Sequence, residues 1–287
     1  YMSLQKKQKD YVESLTTFLK ASSEVTIVDE IVRQLKLNYP DWWRTLIHRK
    51  RVKILDIGSG DGSKSIYFSS ILARNGVKVV VDAIEPTAEN RLKLIQCHKA
   101  TKNNFLGKIW NKPLKDVKSK NKFDVVFLLH SVYQFPKGKD GVLLSLEKFY
   151  SYISPTGLAI IVVGHPTSDL HSIKKKFMRS FGKGIPVSSQ TVIRTLRKSN
   201  ISFSRGEIIE LMTKLKGDKP FSNEKFGKQF AFLFYNSLND TPLNSDQYSA
   251  VGAWVRSYLL RKKKKYITPK DAVLWVWPGQ TLNKTNS

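Results

Sequence analysis

Residues 54–62 spell ILDIGSGDG, a short apolar run that leads into three alternating glycines, Gly58, Gly60 and Gly62. The apolar run is typical of a buried strand, and the glycines follow where that strand should stop. Glycine packs no core, but it leaves the backbone bare, so that a ligand can approach the strand end and the N-terminus of the next helix. The stretch therefore predicts the first strand and turn of an α/β domain, with a ligand at the turn.

Strands and helices alternate on either side of this turn. The predicted strands lie at 52–57, 78–84, 105–110, 123–129 and 158–163, and the predicted helices between them lie at 65–74, 88–98 and 141–153. The strands are apolar at nearly every position, which is typical of a parallel sheet covered by helices on both faces. The alternation predicts a doubly wound α/β fold.

The two ends of the chain follow a different pattern. Apolar residues at helical spacing predict three helices within 3–48, the last of them starting at Pro40. Beyond residue 165 we expect helices at 169–181, 189–198 and 245–260 and a last strand at 272–277, while 230–235 fits a strand or a buried helix. We therefore expect three parts, which are residues 1–48, 49–200 and 201–287.

The charge of the chain is unusual. The 287 residues, 41% of them hydrophobic, are enough for one large domain, or for one domain with an appendage. However, 49 Lys and Arg against 23 Asp and Glu give a net charge of +26. Such an excess attracts nucleic acids and anionic lipids, although the lysines are spread along the chain and a lysine-rich lineage would explain them equally. The densest runs are 174–176 and 261–265.

Other features of the composition bear on the compartment. Cys97 is the only cysteine, so the chain has no disulfide framework and no cysteine-based metal site, and we expect no metal. The first residues are polar and lack the apolar centre of a secretory signal, and no run approaches about 18 apolar residues. We expect a cytoplasmic monomer without a membrane span.

Acidic residues near the glycines discriminate between two nucleotide cofactors. Glu85 ends the second predicted strand, where a carboxylate can accept both ribose hydroxyls of an adenosine. The dinucleotide fingerprint is G-x-G-x-x-G, whereas the glycines alternate here, and Asp56 and Asp61 would repel a pyrophosphate. The same carboxylates suit a sulfonium and an amino group, so we expect S-adenosyl-L-methionine. A purely structural turn in another α/β protein is the alternative.

The pattern D-x-G-x-G-x-G, followed by an acidic end of the second strand, resembles motif I and its partner in class I methyltransferases. Further segments resemble the histamine N-methyltransferases and their relatives over residues 8–200. These segments are Tyr11-Val12-Glu13-Ser14, Phe18-Leu19, Ser22-Ser23-Glu24, Lys53-Ile54-Leu55, Glu85-Pro86-Thr87-Ala88-Glu89, Val132-Tyr133, Ile161-Val162-Val163 and a Lys-Lys-aromatic segment ending at Phe181. The resemblance implies an α/β, Rossmann-like sheet of seven strands, an N-terminal helical lid and a small C-terminal substrate-binding addition.

The resemblance also implies roles for single residues. Gly58, Glu85, Asn90 and His130 match positions that contact the cofactor or the neighbouring wall, with Asn90 standing where the family has a longer Gln. Glu24 matches the glutamate that anchors the substrate. The family's substrate-contacting Gln at the end of the fourth strand is His130 here.

These positions suit methyl transfer to an amine. The reaction is an in-line displacement, so the enzyme mainly positions a nucleophile with a free lone pair. Glu24 could hold an N–H group and His130 could accept the proton. Aromatic side chains suit the wall of a cationic or ring-shaped substrate, and the candidates are Tyr11, Phe18, Tyr133 and Phe181. These residues also have structural interpretations. Glu24 would be a first-turn helix residue, Tyr11 and Phe18 would be core side chains, and His130 would be a hydrogen-bonded histidine at a strand end.

The departures from the family concern the substrate. The family has a second tyrosine in the loop after the fourth strand, where this sequence has Gln134. The family's substrate-contacting C-terminal Asn has no clear counterpart here. We expect an N-methyltransferase of a small amine or imidazole, with histamine as one candidate. The alternative is a methyltransferase of RNA or another polyanion, which 261–265 and tryptophans such as Trp42, Trp43 or Trp254 would hold. A binding protein without catalysis is a third possibility.

Overall fold

The structure is a computed structural model of the chain. It describes residues 2–23, 26–99, 101, 104–136, 140–181, 187–213, 222–234 and 243–278. The helices are α1 (Met2–Ala21), α2 (Ile27–Asn38), α3 (Pro40–Ile47), α4 (Ser63–Ala73), α5 (Ala88–Lys99), α6 (Gly141–Tyr150), α7 (Asp169–Phe181), α8 (Ser189–Lys198), α9 (Asn223–Lys228) and α10 (Ser245–Arg261). The strands are β1 (Arg51–Ile57), β2 (Lys78–Ile84), β3 (Asn104–Trp110), β4 (Phe123–Leu129), β5 (Ile153–Gly164), β6 (Phe203–Glu210) and β7 (Lys270–Val276).

The described strands form one seven-stranded sheet in the order β3-β2-β1-β4-β5-β7-β6. The strands β1 to β5 pair in parallel. β7 runs antiparallel to β6, since Trp277 N donates to Ser202 O while Leu211 N donates to Pro269 O. The strand order reverses direction between β1 and β4, and in such sheets ligands bind outside the carboxyl ends of the strands at that point. The predicted α/β fold is confirmed.

The parallel strands are held by apolar side chains on both faces. β4 is buried at every residue but its second. On one face Phe68 of α4 lies edge-on to Phe127 of β4, with ring centroids 5.1 Å apart. Trp43 of α3 packs against the ring of Phe68, with centroids 6.2 Å apart. Burial on both faces explains why these strands are nearly continuous apolar runs in the sequence.

The chain divides into two compact units. The sheet unit comprises 26–163, 190–207 and 272–287, and the helical unit comprises 1–25, 164–189 and 208–271. The helix α1 therefore belongs to a different unit from α2 and α3, although all three lie within the expected N-terminal part. The expected boundaries at residues 48 and 200 stay a prediction, because they separate parts by their expected function, whereas the two units are defined by their internal contacts.

The helical unit has its own aromatic core. Phe226, Phe230 and Phe234 are fully buried in it, together with Val251 and Val255 of α10. These aromatic side chains come from α9 and from the 3₁₀ turn Ala231–Leu233 that follows it. The segment that fitted a strand or a buried helix is thus a helical turn as far as residue 234, and Tyr235 lies outside the described residues.

Two glycines let the short helix α9 approach α10 closely. A Cβ atom at Gly227 would lie 1.8 Å from the carbonyl oxygen of Tyr248, and one at Gly252 would lie 2.0 Å from the carbonyl oxygen of Asn223. Real Cβ atoms do not tolerate such distances, so the two backbones touch where any larger residue would separate them.

Some elements differ from the sequence-based predictions. β6 was not predicted, since its side chains are mostly polar and only Ile209 is buried. β5 begins at Ile153 rather than at 158, and α6 ends at Tyr150 rather than at 153, because the strand pairs with Phe123 from its first residue. Within the described residues, no helix is long and apolar enough to cross a membrane.

Candidate functional site

The glycine turn after β1 is built from three left-handed residues. The φ angles of Gly58, Gly60 and Gly62 are +69°, +58° and +75°. A Cβ atom at Gly58 would lie 2.4 Å from Cβ of Ser131, and one at Gly62 would lie 2.1 Å from Cδ1 of Leu94, so both glycines are required by packing. A Cβ atom at Gly60 would meet nothing within 4 Å. The bare backbone of Gly60 therefore faces open space.

The carboxylate of Glu85 holds this turn from the end of β2. The residue is 5% exposed, and its Oε2 accepts a hydrogen bond from Gly60 N at 2.9 Å. Its Oε1 accepts one from Thr87 N at 2.8 Å, while Gly58 N donates to Ile84 O at 2.8 Å. Each carboxylate oxygen has a second lone pair, so Glu85 can still accept hydrogen bonds from two hydroxyl groups of a ligand.

Asp56, the last residue but one of β1, is the buried anion of the site. It is 4% exposed, and burial raises its pKa from 3.8 to about 6, which a hydrogen bond from Ser65 and the charge of Lys64 only partly oppose. The second carboxylate of the turn, Asp61, is half-buried and accepts a hydrogen bond from Ser63 N at 3.0 Å. A cationic group brought to this turn would relieve the cost of the buried charge on Asp56.

The end of β4 is fastened to the same turn. His130 has a left-handed backbone with φ of 58°, and the next residue, Ser131, donates its hydroxyl to Ile57 O at 2.5 Å. The chain continues as a 3₁₀ turn, Val132–Gln134, which places Tyr133 half-buried directly after the strand. The contact of Ser131 with β1 was not predicted, since it joins residues 74 positions apart that no local pattern connects.

The sheet unit thus brings most of the predicted cofactor residues, together with the predicted catalytic and substrate-binding residue Tyr133, to one edge of the sheet. They follow the carboxyl ends of β1, β2 and β4, which are neighbours in the sheet. These residues are Asp56, Gly58, Gly60, Gly62, Glu85, His130 and Tyr133. Asn90 is half-buried in the first turn of α5, the helix that follows Glu85.

The predicted substrate residues of the N-terminal part belong to the helical unit. Tyr11 is half-buried, whereas Phe18 is 3% exposed and packs against Phe232 with ring centroids 4.8 Å apart, which is the environment of a core residue. Glu24 and the side chain of Phe181 lie outside the described residues. The role of Tyr11, Phe18 and Phe181 in a substrate wall, and that of Glu24 as the substrate anchor, stay predictions.

The chain just before Glu24 is nevertheless fixed. Ser23 N donates to Met212 O at 3.0 Å, and Met212 N donates to Ser23 Oγ at 3.0 Å. Ser22 forms an antiparallel bridge with Thr213, and Thr213 forms another with Ile267. The segment that resembles the substrate anchor is therefore attached to the strand-like residues that extend β6 and β7 in the helical unit.

Solved structures share this architecture, although no family model and no curated protein matches the sequence. A loganic acid methyltransferase solved with SAH is 12% identical, with 97% of this chain and 96% of that one covered and a TM-score of 0.56. The chain has a class I methyltransferase fold. The YcgJ protein of Bacillus subtilis is also 12% identical, with 83% and 96% of the two chains covered and a TM-score of 0.54. A candidate sarcosine dimethylglycine methyltransferase from Galdieria sulphuraria is 12% identical, with 87% and 84% covered and a TM-score of 0.50.

Proposed function

We propose that this chain is an S-adenosyl-L-methionine-dependent N-methyltransferase of a small amine or imidazole. The observation that carries the proposal is the contrast among the three glycines. Gly58 and Gly62 are explained by packing, whereas Gly60 is left-handed and bare toward open space beside the buried Glu85. The left-handed φ favours glycine at Gly60 as it does at Gly76, and what distinguishes Gly60 is that its open face lies beside the buried carboxylate of Glu85 at the carboxyl ends of the strands.

The residues of the turn fit the proposed cofactor. Glu85 would accept the two ribose hydroxyls with the lone pairs that Gly60 N and Thr87 N leave open. Asp56 would favour the positively charged part of the molecule, and Asn90 would take the place of the family's Gln. When bound, S-adenosylmethionine would supply a methyl group on a sulfonium, whose carbon a nucleophile can attack in line while the thioether leaves.

For the reaction itself, the chain's own residues mainly have to orient the acceptor. An amine reacts only with a free lone pair, so a substrate that arrives as an ammonium ion must lose a proton from the nitrogen before the transfer. His130, at the end of β4, would accept that proton, and Tyr133 in the following turn would line the acceptor. Glu24 would hold a second N–H group of the substrate and keep the lone pair directed toward the methyl group.

The choice of an amine rests on the N-terminal segments rather than on the fold. The solved structures of this fold are named for different substrates, among them an acid, so the sheet alone does not select one. The segments from Tyr11 to Glu24, which resemble histamine N-methyltransferases, favour an amine or an imidazole.

The cofactor part of the proposal is tested by calorimetry on two alanine variants. Gly76 is a matched control for Gly60, since its φ is +80°, a Cβ atom there also meets nothing within 4 Å, and it precedes the opposite, amino-terminal end of β2. Both substitutions should cost about 1 kcal/mol of stability. We expect Gly60→Ala to weaken S-adenosylhomocysteine binding at least tenfold and Gly76→Ala to leave it unchanged. Equal affinities in both variants would show that no cofactor approaches Gly60.

The substrate part is tested separately with a labelled methyl donor. The purified chain is incubated with a panel of biogenic amines and imidazoles and, in parallel, with total RNA. We expect label in one or a few small amines. Label that enters RNA alone would reject the amine while leaving the cofactor proposal intact.

A further inference from the structure

The helical unit carries a cluster of exposed cations at the end of α10, which we call the basic turn, Arg261–Lys265. Lys264 N donates to Leu259 O at 2.9 Å and Lys263 N donates to Leu260 O at 3.0 Å, which is the hydrogen-bond pattern of a Schellman motif. Lys263 occupies the left-handed position of this motif, with φ of 51°. Glycine is the usual residue there because a side chain is strained in that conformation. The chain thus keeps a positive charge where glycine would be more stable.

A buried carboxylate fixes the conformation of the basic turn. Asp169, at the start of α7, is 2% exposed and accepts hydrogen bonds from Lys264 Nζ at 2.9 and 3.0 Å. It also accepts one from Tyr258 Oη at 2.6 Å and one from Thr268 N at 2.7 Å. Lys264 is therefore neutralised inside the unit, and the other four cations of the turn are exposed. The turn is held by the two hydrogen bonds from Lys264 to Asp169 and by the two backbone hydrogen bonds from Lys263 and Lys264 to the end of α10, and it therefore presents these charges in a defined arrangement.

Aromatic side chains and further lysines lie next to the basic turn. Trp254 and Tyr258 of α10 are half-buried and stacked, with ring centroids 5.0 Å apart and an interplanar angle of 19°. Residues four apart share a helix face, so this pair is in line with Lys262. The helix α7 packs on the same pair through Phe177, 5.8 Å from Trp254, and it carries Lys175 and Lys176 exposed to solvent.

From this arrangement we propose that the basic turn and the exposed lysines of α7 form a docking surface for single-stranded nucleic acid. The cations would contact successive phosphates, and the partly exposed Trp254 and Tyr258 would offer a face for a base. The dipole of α10 explains one or two cations at its C-terminus, but it does not explain a lysine in place of the favoured glycine. Cationic clusters also bind anionic membranes, but the half-buried, stacked Trp254 and Tyr258 beside this turn favour a ligand that carries bases, and next to the turn Leu260, 79% exposed, is the one large apolar side chain among the described residues of α10 that could insert into lipid.

The proposal is tested by fluorescence anisotropy of the full chain with a labelled 20-nucleotide single strand over a range of salt concentrations. The test variant carries Arg261→Gln, Lys262→Gln, Lys263→Gly and Lys265→Gln. The matched control removes four exposed lysines of the sheet unit by Lys99→Gln, Lys115→Gln, Lys118→Gln and Lys120→Gln, with the same change in net charge. Each phosphate contact contributes about 0.7 to the salt slope for single strands, so we expect the test variant to reduce the slope by about 3 and the control by less than 1. Equal reductions in both variants would mean attraction by net charge alone and would overturn the proposal.

The single variant Lys263→Gly separates a docking role from a structural one. If the lysine is kept for a ligand, its replacement reduces the salt slope by about 0.7 and raises the midpoint of thermal unfolding by about 2 °C, because the backbone strain is relieved. A lower midpoint with unchanged binding would show that Lys263 serves the helix end and would overturn the proposal. So would binding to vesicles of anionic phospholipid without binding to the oligonucleotide. None of these results depends on methyl transfer, so they leave the proposed enzymatic function untouched.

Discussion

Replacing Asp56 by Asn should make the chain more stable and the cofactor bind less tightly. Asp56 is a buried carboxylate at the end of β1, and burial raises its pKa from 3.8 to about 6. In the unfolded chain the same carboxyl group ionises freely in water. At neutral pH the folded chain therefore bears a cost for the buried charge that an uncharged amide of the same shape avoids.

The size of the effect follows from the pKa. A carboxyl group whose pKa rises on folding lowers stability above its folded pKa, and this cost disappears as the pH falls below the unfolded value of 3.8. A shift from 3.8 to about 6 amounts to about 3 kcal/mol at pH 7 and roughly half of that at pH 5. This pKa already includes the hydrogen bond from Ser65, but the amide of Asn brings two N–H donors into a site that held a carboxylate, which removes about 1 kcal/mol of the gain. We expect Asp56→Asn to raise the free energy of unfolding by about 2 kcal/mol at pH 7.

Urea unfolding at pH 7 and pH 5 measures this difference. Asp61→Asn is the matched control, because it removes the same charge from the same turn and leaves an amide oxygen to accept the hydrogen bond from Ser63 N. We expect it to change stability by less than about 0.5 kcal/mol. In calorimetry Asp56→Asn should bind S-adenosylhomocysteine more weakly than the wild type. A variant that is no more stable at pH 7, or whose gain does not shrink at pH 5, would refute the account of Asp56 as a costly buried anion.

Three further predictions concern packing, substrate and acid stability. Gly252→Ala should destabilise the chain in urea by about 1–3 kcal/mol, because its Cβ would lie 2.0 Å from the carbonyl oxygen of Asn223; an unchanged midpoint would contradict the close crossing of α9 and α10. Glu24→Gln should abolish amine methylation while cofactor binding is kept, and full turnover in this variant would remove Glu24 from the mechanism. Burial lowers the pKa of His98, so the unfolded chain binds a proton at a higher pH than the folded chain does, and the free energy of unfolding should fall as the pH drops below about 6.5. His98→Gln should make this fall smaller in acid titrations followed by circular dichroism.

The sequence was most informative where burial alone decides the structure. The strands β1 to β4 begin within one residue of their predicted starts, since a parallel strand covered on both faces must be apolar throughout. The cofactor turn was also accessible, because the glycines and Glu85 are local signals of a strand that ends at a ligand. The different roles of the three glycines could not be predicted, because only the structure places Ser131 against Gly58 and Leu94 against Gly62.

The missed strand β6 shows why other parts could not be predicted. It lies at the edge of the sheet, and its middle is the polar stretch around Gly206 and Glu207. Its free backbone groups are satisfied by the side chain of Gln34 in α2, which accepts from Glu207 N at 2.9 Å and donates to Glu207 O at 3.3 Å. β6 therefore depends on Gln34, 173 positions earlier, and on its partner strand β7, which begins 60 positions after β6 ends, so no short window of sequence contains the information.

Residues other than glycine that adopt a left-handed backbone are held there at a cost in free energy. Among the described residues, the left-handed positions that are not glycine are His130, Asn200 and Lys263. Asn tolerates this conformation, and Asn200 follows α8, where such a residue often ends a helix. Histidine also enters this conformation more often than most residues do, whereas Lys263 has no such explanation, and glycine would be more stable at either position. His130 lies at the end of β4, where methyl transfer is proposed, and Lys263 carries one of the charges of the proposed nucleic-acid surface. The strain at Lys263 is already part of the argument for that surface, whereas the strain at His130 is an observation separate from the sequence resemblance on which its proposed role rests.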